Sequence, residues 1–334
     1  MTNHDILGKF QGKRILITGG AGYLGSNIVD LLKGIKCQVL CLEPKKIVSM
    51  ETGSVAQISN VIGDVRDPQT WQEALKEVDI VFHLAAQTSV YVANDKPIDD
   101  LELNVVPMLL MLEECRKNNH HPTIIFSGTV TEAGLPASLP VNESHPDCPI
   151  TIYDLHKLMA ENYLKYHVAQ GVVSGAIMRL ANVYGPGPQS SSADRGVLNM
   201  MIRKALKGDE LTVYGKGDHI RDYVYIKDVA YAFLFAAAHI DKINGRHFVV
   251  GSEEGHSLAQ AFGLVADRAG NITGKKVGVI NVEPPASLSP IEDRDFIADS
   301  GKFKKATGWK IEHSLQNGID LTIKSILTRE DFCK

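Results

Sequence analysis

The chain has little of what marks several function classes. Its 334 residues include only five cysteines: Cys37, Cys41, Cys115, Cys148 and Cys333. They form no CxxC pair and no metal-ligand spacing. An odd, scattered set of this kind fits a reducing cytoplasm and argues against a metal centre. Charge of one sign is also missing. The formal net charge is −4, which gives no electrostatic reason to expect nucleic acid or an anionic membrane as partner. The opening MTNHDILGKF lacks the long apolar core of a secretory leader. No apolar run approaches the roughly 20 residues of a membrane span. The most hydrophobic stretch, VAYAFLFAAAHI at 229–240, reads as a buried helix. There is no internal repeat and no low-complexity segment.

What is present is a core. At 44% hydrophobic composition the chain can build one large domain or two intimately joined ones. The first half alternates short apolar strands with helix-length segments. RILIT (14–18), CQVLCL (37–42), DIVFHLAA (79–86), TIIFS (123–127) and SGAIMRL (174–180) are the strands; 99–119 and 153–170 are among the helices. This alternation predicts a parallel sheet covered on both faces. After residue 180 a loop rich in Gly, Pro and Ser follows, then a mixture of strands and helices, including helices over 196–208 and 313–327. HFVVG (247–251) is placed to return to the main sheet. The second region therefore reads as a smaller lobe threaded onto the first, with no clean linker.

RILITGGAGYLGS sets Gly20, Gly22 and Gly25 in GxGxxG spacing directly after a strand and before a helix; with Gly19 it also reads GxxGxxG. Glycines permit the tight turn and the close approach of backbone to a pyrophosphate, and the helix aims its first N–H groups at the phosphates. The partner carboxylate belongs at the end of the next strand, where Glu43 stands. A carboxylate there accepts from both ribose hydroxyls and repels a 2′-phosphate, which favours NAD over NADP. Lys45 and Lys46 follow at once and argue the other way. The fold class expected is thus α/β, a Rossmann-type doubly wound parallel sheet with a smaller mixed C-terminal lobe. Residues 1–180 form the NAD-binding domain, with a returning segment at about 222–251. The remainder of 181–334 is mainly the substrate lobe.

IYDLHK places Tyr153 and Lys157 at i, i+4 on a helix, and so on one face. An ammonium beside a phenol favours the phenolate and brings a pKa that starts near 10 toward neutrality. The tyrosine then serves as acid or base. Tyr223 and Lys227 share the spacing, but DYVYIK alternates like a strand, which would keep those side chains apart. Tyr153 also has a partner upstream, the strand-end hydroxyl of Thr129 in FSGTVTEAG. A substrate hydroxyl held between Thr129 and Tyr153 could lose its proton while its carbon gives hydride to a nicotinamide.

With these motifs in order the sequence resembles an extended short-chain dehydrogenase/reductase of the nucleotide-sugar epimerase and dehydratase group. The resemblance covers nearly the whole chain. It rests on TGGAGYLGS, GDVRD (63–67), HLAAQTSV (83–90), Asn104, Thr129, YDLHK, RLANVYGPG (179–187), VYGKGDHIRDYVYIKDVA (213–230) and ATGW (306–309). It implies a cytoplasmic enzyme, often a homodimer through helix pairs that here would be 99–119 and 153–170. Thr129, Tyr153 and Lys157 would be catalytic. The cofactor NAD would be held by Gly19, Gly22, Tyr23, Leu24, Gly25, Glu43, Asp64, Val65, Leu84, Ala85, Ala86, Gln87 and Asn104, together with Tyr153 and Lys157. Asn182, Leu198, Asn199, Arg221 and Arg294 would bind a nucleotide-diphosphate sugar, an arginine fork suiting phosphate oxygens.

Two departures bear on the reaction. The 4,6-dehydratases of the group follow the catalytic Thr with Asp-Glu, the proton carriers of water elimination. Val130 and Thr131 stand there instead. Glu132 comes one place late, and alternation along a strand would turn it away, toward the loop or the pocket rim. The group's late arginine falls on Ser289, with Arg294 as the nearby substitute. The expectation is therefore an NAD-dependent nucleotide-sugar epimerase acting at C4 through a transient keto sugar. A 4-keto sugar-nucleotide reductase or dehydrogenase is the alternative. A dehydratase and a non-catalytic NAD-binding protein rank lower.

Overall fold

A computed structural model describes residues 3–45, 54–188 and 196–328. Its strands are β1 (Arg14–Thr18), β2 (Gln38–Glu43), β3 (Gln57–Ile62), β4 (Ile80–His83), β5 (Thr123–Thr129), β6 (Ser174–Leu180), β7 (Asn182–Tyr184), β8 (Leu211–Tyr214), β9 (Ile220–Tyr225), β10 (His247–Val250), β11 (Gly255–Ser257) and β12 (Val279–Val282). Seven of them form one sheet in the order β10-β6-β5-β4-β1-β2-β3. Every neighbouring pair is parallel. The order reverses between β1 and β4. Doubly wound sheets bind ligands in a crevice outside the carboxyl ends of the strands at such a point.

Side chains alternate across the strands and divide the core into two layers. Ile15, Ile17, Phe82, Ile125 and Met178 face the apolar helix Ile226–Ala238, through Val229, Phe233 and Ala236. Leu16, Val81, Ile124, Phe126 and Ile177 face the other way, against Trp71, Met108, Met111, Leu112 and Leu164. A third cluster belongs to the second lobe. It joins Leu198, Met201, Ile202, Leu211, Val213, Phe262, Val265 and Ile319. Two small sheets complete that lobe, β11-β9-β7 and β12-β8. Of the segment 222–251, β9 lies in a small sheet, whereas β10 pairs with β6.

Two sequence expectations change. The segment 99–119 is not one helix but two, Pro97–Asn104 and Val106–Lys117. Pro107 has no N–H to return to the preceding turn, so the ladder breaks at Val105. DYVYIK is strand only as far as Tyr225. Lys227 belongs to the helix that follows, exposed, while Tyr223 is buried in β9.

Candidate functional site

The glycine turn after β1 is built for close approach. Gly19 has φ +72°, and a Cβ there would lie 3.3 Å from the Ala85 nitrogen. At Gly25 a Cβ would come within 2.1 Å of the Gly19 carbonyl oxygen. Only glycine lets the helix Tyr23–Leu32 start so tightly against the turn. That helix has no side-chain cap at Gly22, and uncapped first-turn N–H groups of this kind suit an anion. Glu43 ends β2 with Oε1 accepting the Ala21 N–H at 2.6 Å. Burial raises its pKa, and the Ala21 bond opposes the rise. The loop thus fixes the acid at the end of β2 through one of its oxygens. Lys45 is exposed; Lys46 lies outside the described residues.

The neighbouring strand ends are knitted together. Thr18 Oγ1 accepts from the Leu84 and Ala85 N–H groups, both at 3.0 Å, and meets His83 Nδ1 at 2.9 Å. Ala86 follows, half-buried. Gln87 turns inward: its side-chain amide donates to Asp100 at 2.6 Å, and its backbone carbonyl accepts from Asn104 at 2.9 Å. Asp100 also holds His156 at 2.7 Å, so Gln87 and Asn104 brace the helix Ile152–Ala169. After β3, Asp64 is clamped by Arg66 at 2.6 Å, which lowers its pKa. The Val65 carbonyl accepts from the Trp71 indole.

Thr129 is the last residue of β5, and Lys157 enters the same region from the helix Ile152–Ala169. Lys157 is buried, with its ammonium 4.1 Å from the centre of the Phe126 ring. His83 stacks on Phe126 from beside it and is pushed down to about 3 by burial and by the Lys157 charge. It is neutral, so the charge in this contact group is the lysine's. Tyr153 lies one turn before Lys157, on the same helix face.

The strand-end hydroxyls differ from the sequence expectation. The chain leaves β5 in a 3-10 turn, Val130–Ala133, and strand alternation stops at Thr129. Glu132 is therefore not on the rim. It is completely buried and closes a capping box, Oε1 accepting the Thr129 N–H at 3.2 Å. Thr131 turns its hydroxyl to within 2.8 Å of Thr129 Oγ1. A further acid, Asp154, is wholly buried beside Thr131; the sequence reading passed over it. Its only sequence signal was its place next to Tyr153.

On the other side of the crevice Asn182, Arg221 and Arg294 come together. Arg294 donates to Asn182 Oδ1 at 3.2 Å, and its backbone oxygen accepts from Arg221. Arg221 also reaches the Glu292 carbonyl at 2.7 Å. Arg294 is buried, with Nε unpartnered, and is pushed down to about 10 by burial and the Arg221 charge. Such a cation group suits an anion. Ser289, where the resemblance places an arginine, is buried with its hydroxyl unpartnered.

Leu198 and Asn199 do not join this group. Leu198 is 2% exposed in the lobe core and offers no side-chain surface to a ligand. Asn199 donates to the Tyr23 hydroxyl at 2.9 Å and accepts from the Gly185 N–H at 3.0 Å. The Tyr23 hydroxyl in turn donates to the Gly185 carbonyl at 2.9 Å. Leu24 packs against both neighbouring cores. Tyr23, Leu24 and Asn199 thus fasten the start of the dinucleotide helix to the second lobe. A surface depression between Gln72, Glu77, Glu114 and His120 lies at the amino ends of β4 and β5, away from all of this.

A parallel sheet with a glycine turn, an acid at the end of the next strand and a Tyr-Lys helix beside a strand-end hydroxyl defines a dinucleotide-dependent short-chain oxidoreductase scaffold. The sequence model of the NAD dependent epimerase/dehydratase family matches residues 15–251. The chain belongs to that family, within the extended short-chain dehydrogenase/reductases that act on nucleotide sugars, and is an enzyme with NAD as its cofactor. It is 33% identical over 313 residues to a Methanocaldococcus jannaschii protein provisionally named UDP-glucose 4-epimerase, covering 91% of this chain and 95% of that one. Among solved structures it is similar to the Thermus thermophilus UDP-glucose 4-epimerase in complex with NAD, with TM-score 0.80 and 30% identity over 95% of this chain and 99% of that one. The Thermotoga maritima UDP-glucose 4-epimerase with UDP-glucose gives TM-score 0.81 and 29% identity over 94% and 98%.

Proposed function

We propose that the protein is a nucleotide-sugar epimerase that inverts one carbon, C4, by oxidation and re-reduction. The observation that carries this reading is the buried Lys157 one helical turn from Tyr153, with Thr129 at the adjoining strand end. Tyr153 takes the proton of the sugar hydroxyl, the Lys157 charge stabilises the phenolate, and Thr129 holds the reacting oxygen. NAD held beside these groups would supply the acceptor for the sugar's hydride and the donor for its return to the opposite face. Gly19, Gly22, Gly25 and Glu43 hold the dinucleotide, and Asn182, Arg221 and Arg294 the diphosphate of the sugar nucleotide. Relatives named for UDP-glucose make a UDP-hexose the first substrate to try. Glu132 engages the Thr129 N–H and Arg179 rather than the reacting position, which supports epimerisation over water elimination. Exposed Ile98, Leu155 and Tyr166 on the helices Pro97–Asn104 and Ile152–Ala169 support a second copy as partner.

The test is incubation of purified protein with UDP-, dTDP-, GDP- and CDP-hexoses without added nucleotide cofactor, followed by NMR of the sugar. The expected product is the C4 epimer, and Tyr153→Phe should abolish it while the protein stays folded. Turnover only with equimolar NAD(P)H would establish a reductase instead. Loss of water from the sugar would overturn the epimerase.

A further inference from the structure

We propose that His83 is a positioning residue for the cofactor, its ring taking the Thr18 proton and so fastening the loop after β4 to the dinucleotide turn. The inference rests on the placing of NAD at that turn. Thr18 and His83 end β1 and β4 and stand opposite each other in register, where the strand order reverses. Both are buried. A threonine hydroxyl has one proton and two lone pairs. The Leu84 and Ala85 N–H groups can only donate, and with each 3.0 Å from Thr18 Oγ1 they fill both lone pairs. The third neighbour of that oxygen is His83 Nδ1 at 2.9 Å. With no lone pair left, Oγ1 must donate to it. Nδ1 is therefore the acceptor, and the proton of the neutral ring sits on Nε2.

The count leaves no second polarity. A proton on Nδ1 would face an oxygen that already accepts twice, with the Thr18 proton left buried and unmatched. A doubly protonated ring meets the same obstacle, and burial and the Lys157 charge push the imidazole down to about 3. The consequence reaches the cofactor through the backbone. Because His83 takes the proton, Thr18 gives both of its lone pairs to the loop. That loop lies against the turn, since a Cβ on Gly19 would stand 3.3 Å from the Ala85 nitrogen and 3.4 Å from its Cα. Without an acceptor at His83 the buried Thr18 proton has no partner, and turning it elsewhere takes a lone pair away from the loop. The other ring contacts of His83 are aromatic: Trp71 edge-on at 5.9 Å and Phe126 stacked at 5.7 Å. Packing and hydrogen bonding can therefore be tested apart.

The test uses the holoenzyme and follows NAD lost on dilution, read as the nucleotide that remains on the protein. His83→Asn puts Oδ1 where Nδ1 stood and still accepts the Thr18 proton, but leaves a void beside Trp71 and Phe126. His83→Leu fills that apolar space and offers no acceptor. A ring that only packs would make Leu the better holder of NAD. The positioning role predicts the reverse. NAD should leave His83→Leu roughly tenfold faster than wild type, the size of one lost hydrogen bond, and leave His83→Asn at close to the wild-type rate. A Leu variant that holds NAD as well as the Asn variant or wild type would overturn the inference. Thr18→Val removes the hydroxyl itself, so adding His83→Leu to it should speed the loss no further; an additive loss would show that the ring acts apart from Thr18 and sink the proposal. NMR of histidine-labelled wild type, with the His83 signals identified by their loss in either variant, should find the ring proton on Nε2, and a proton on Nδ1 would refute the assignment. Wild type that holds no NAD would remove the cofactor from the turn and this inference with it. The sugar assay does not enter, so failure of the proposed epimerase and failure of this inference are read separately.

Discussion

Glu132 offers a sharp quantitative test of the strand end. Its Oε2 lies 2.9 Å from Arg179 Nε but takes no hydrogen bond. Arg179 gives its N–H groups to Glu161 at 2.9 and 2.7 Å and to Asp147 at 2.6 Å. Two buried carboxyls around one guanidinium share a proton. Burial and the Glu161 charge raise Glu132 well above the usual carboxyl range. Glu161 is buried too, but hydrogen bonds from His247 and Arg179 hold it well below that range. The proton therefore belongs on Glu132 Oε2. Glu132→Ala orphans the buried Thr129 N–H, which costs about 1–3 kcal/mol, and opens a small void worth about 1 kcal/mol more. Glu132→Gln keeps an acceptor for that N–H and a donor where the proton sat, and should cost under about 1 kcal/mol.

The pH dependence has a definite sign. A folded-state pKa raised above the unfolded one gives stability that is complete below the unfolded carboxyl value and is lost as pH rises through the folded value. Glutamine does not titrate. Over that window the Glu132→Gln variant should gain on wild type as pH rises. Denaturant unfolding of wild type, Ala and Gln variants at several pH values measures this. A Gln variant as unstable as the Ala variant, or a gap indifferent to pH, would mean that Glu132 is ionised and paired with Arg179, and would refute the reasoning.

The remaining predictions concern the cofactor. Gly25→Ala must push the Gly19 carbonyl aside from a 2.1 Å contact, so the turn opens. The variant should purify with less NAD than wild type, as read by the nucleotide released on denaturation. Glu43→Ala removes the partner of the Ala21 N–H and, on the proposed assignment, the ribose acceptor. NAD affinity measured by calorimetry should fall about tenfold or more, and discrimination against NADP should narrow; unchanged affinity would remove Glu43 from the ribose site.

Much of the site was legible because its chemistry is local in sequence. A glycine turn needs its glycines in one run, so Gly19, Gly22 and Gly25 announce themselves. Tyr153 and Lys157 share a helix face because helical spacing puts them there whatever the fold. Thr129 was readable as the residue where an apolar strand ends. Glu132 was not, since an alternating strand and a 3-10 turn send the same residue in opposite directions, and only the closed capping box shows which was formed. The split of 99–119 had a visible cause in Pro107 that the apolar pattern concealed.

By itself, then, the amino-acid sequence determined the parallel α/β class, the dinucleotide turn and the Tyr-Lys pair, because each depends on periodicity or spacing within a few turns of chain. Tertiary structure alone decided the rest. Arg294 and Asn182, 112 residues apart, face one another, and Glu132 meets Arg179 across 47 residues of chain. Asn199 fastens to Tyr23 rather than to a pocket. Asp154 lies buried beside Thr131. Such long-range contacts are set by how the helices and the second lobe close over the strand ends, and no local pattern in the chain encodes them.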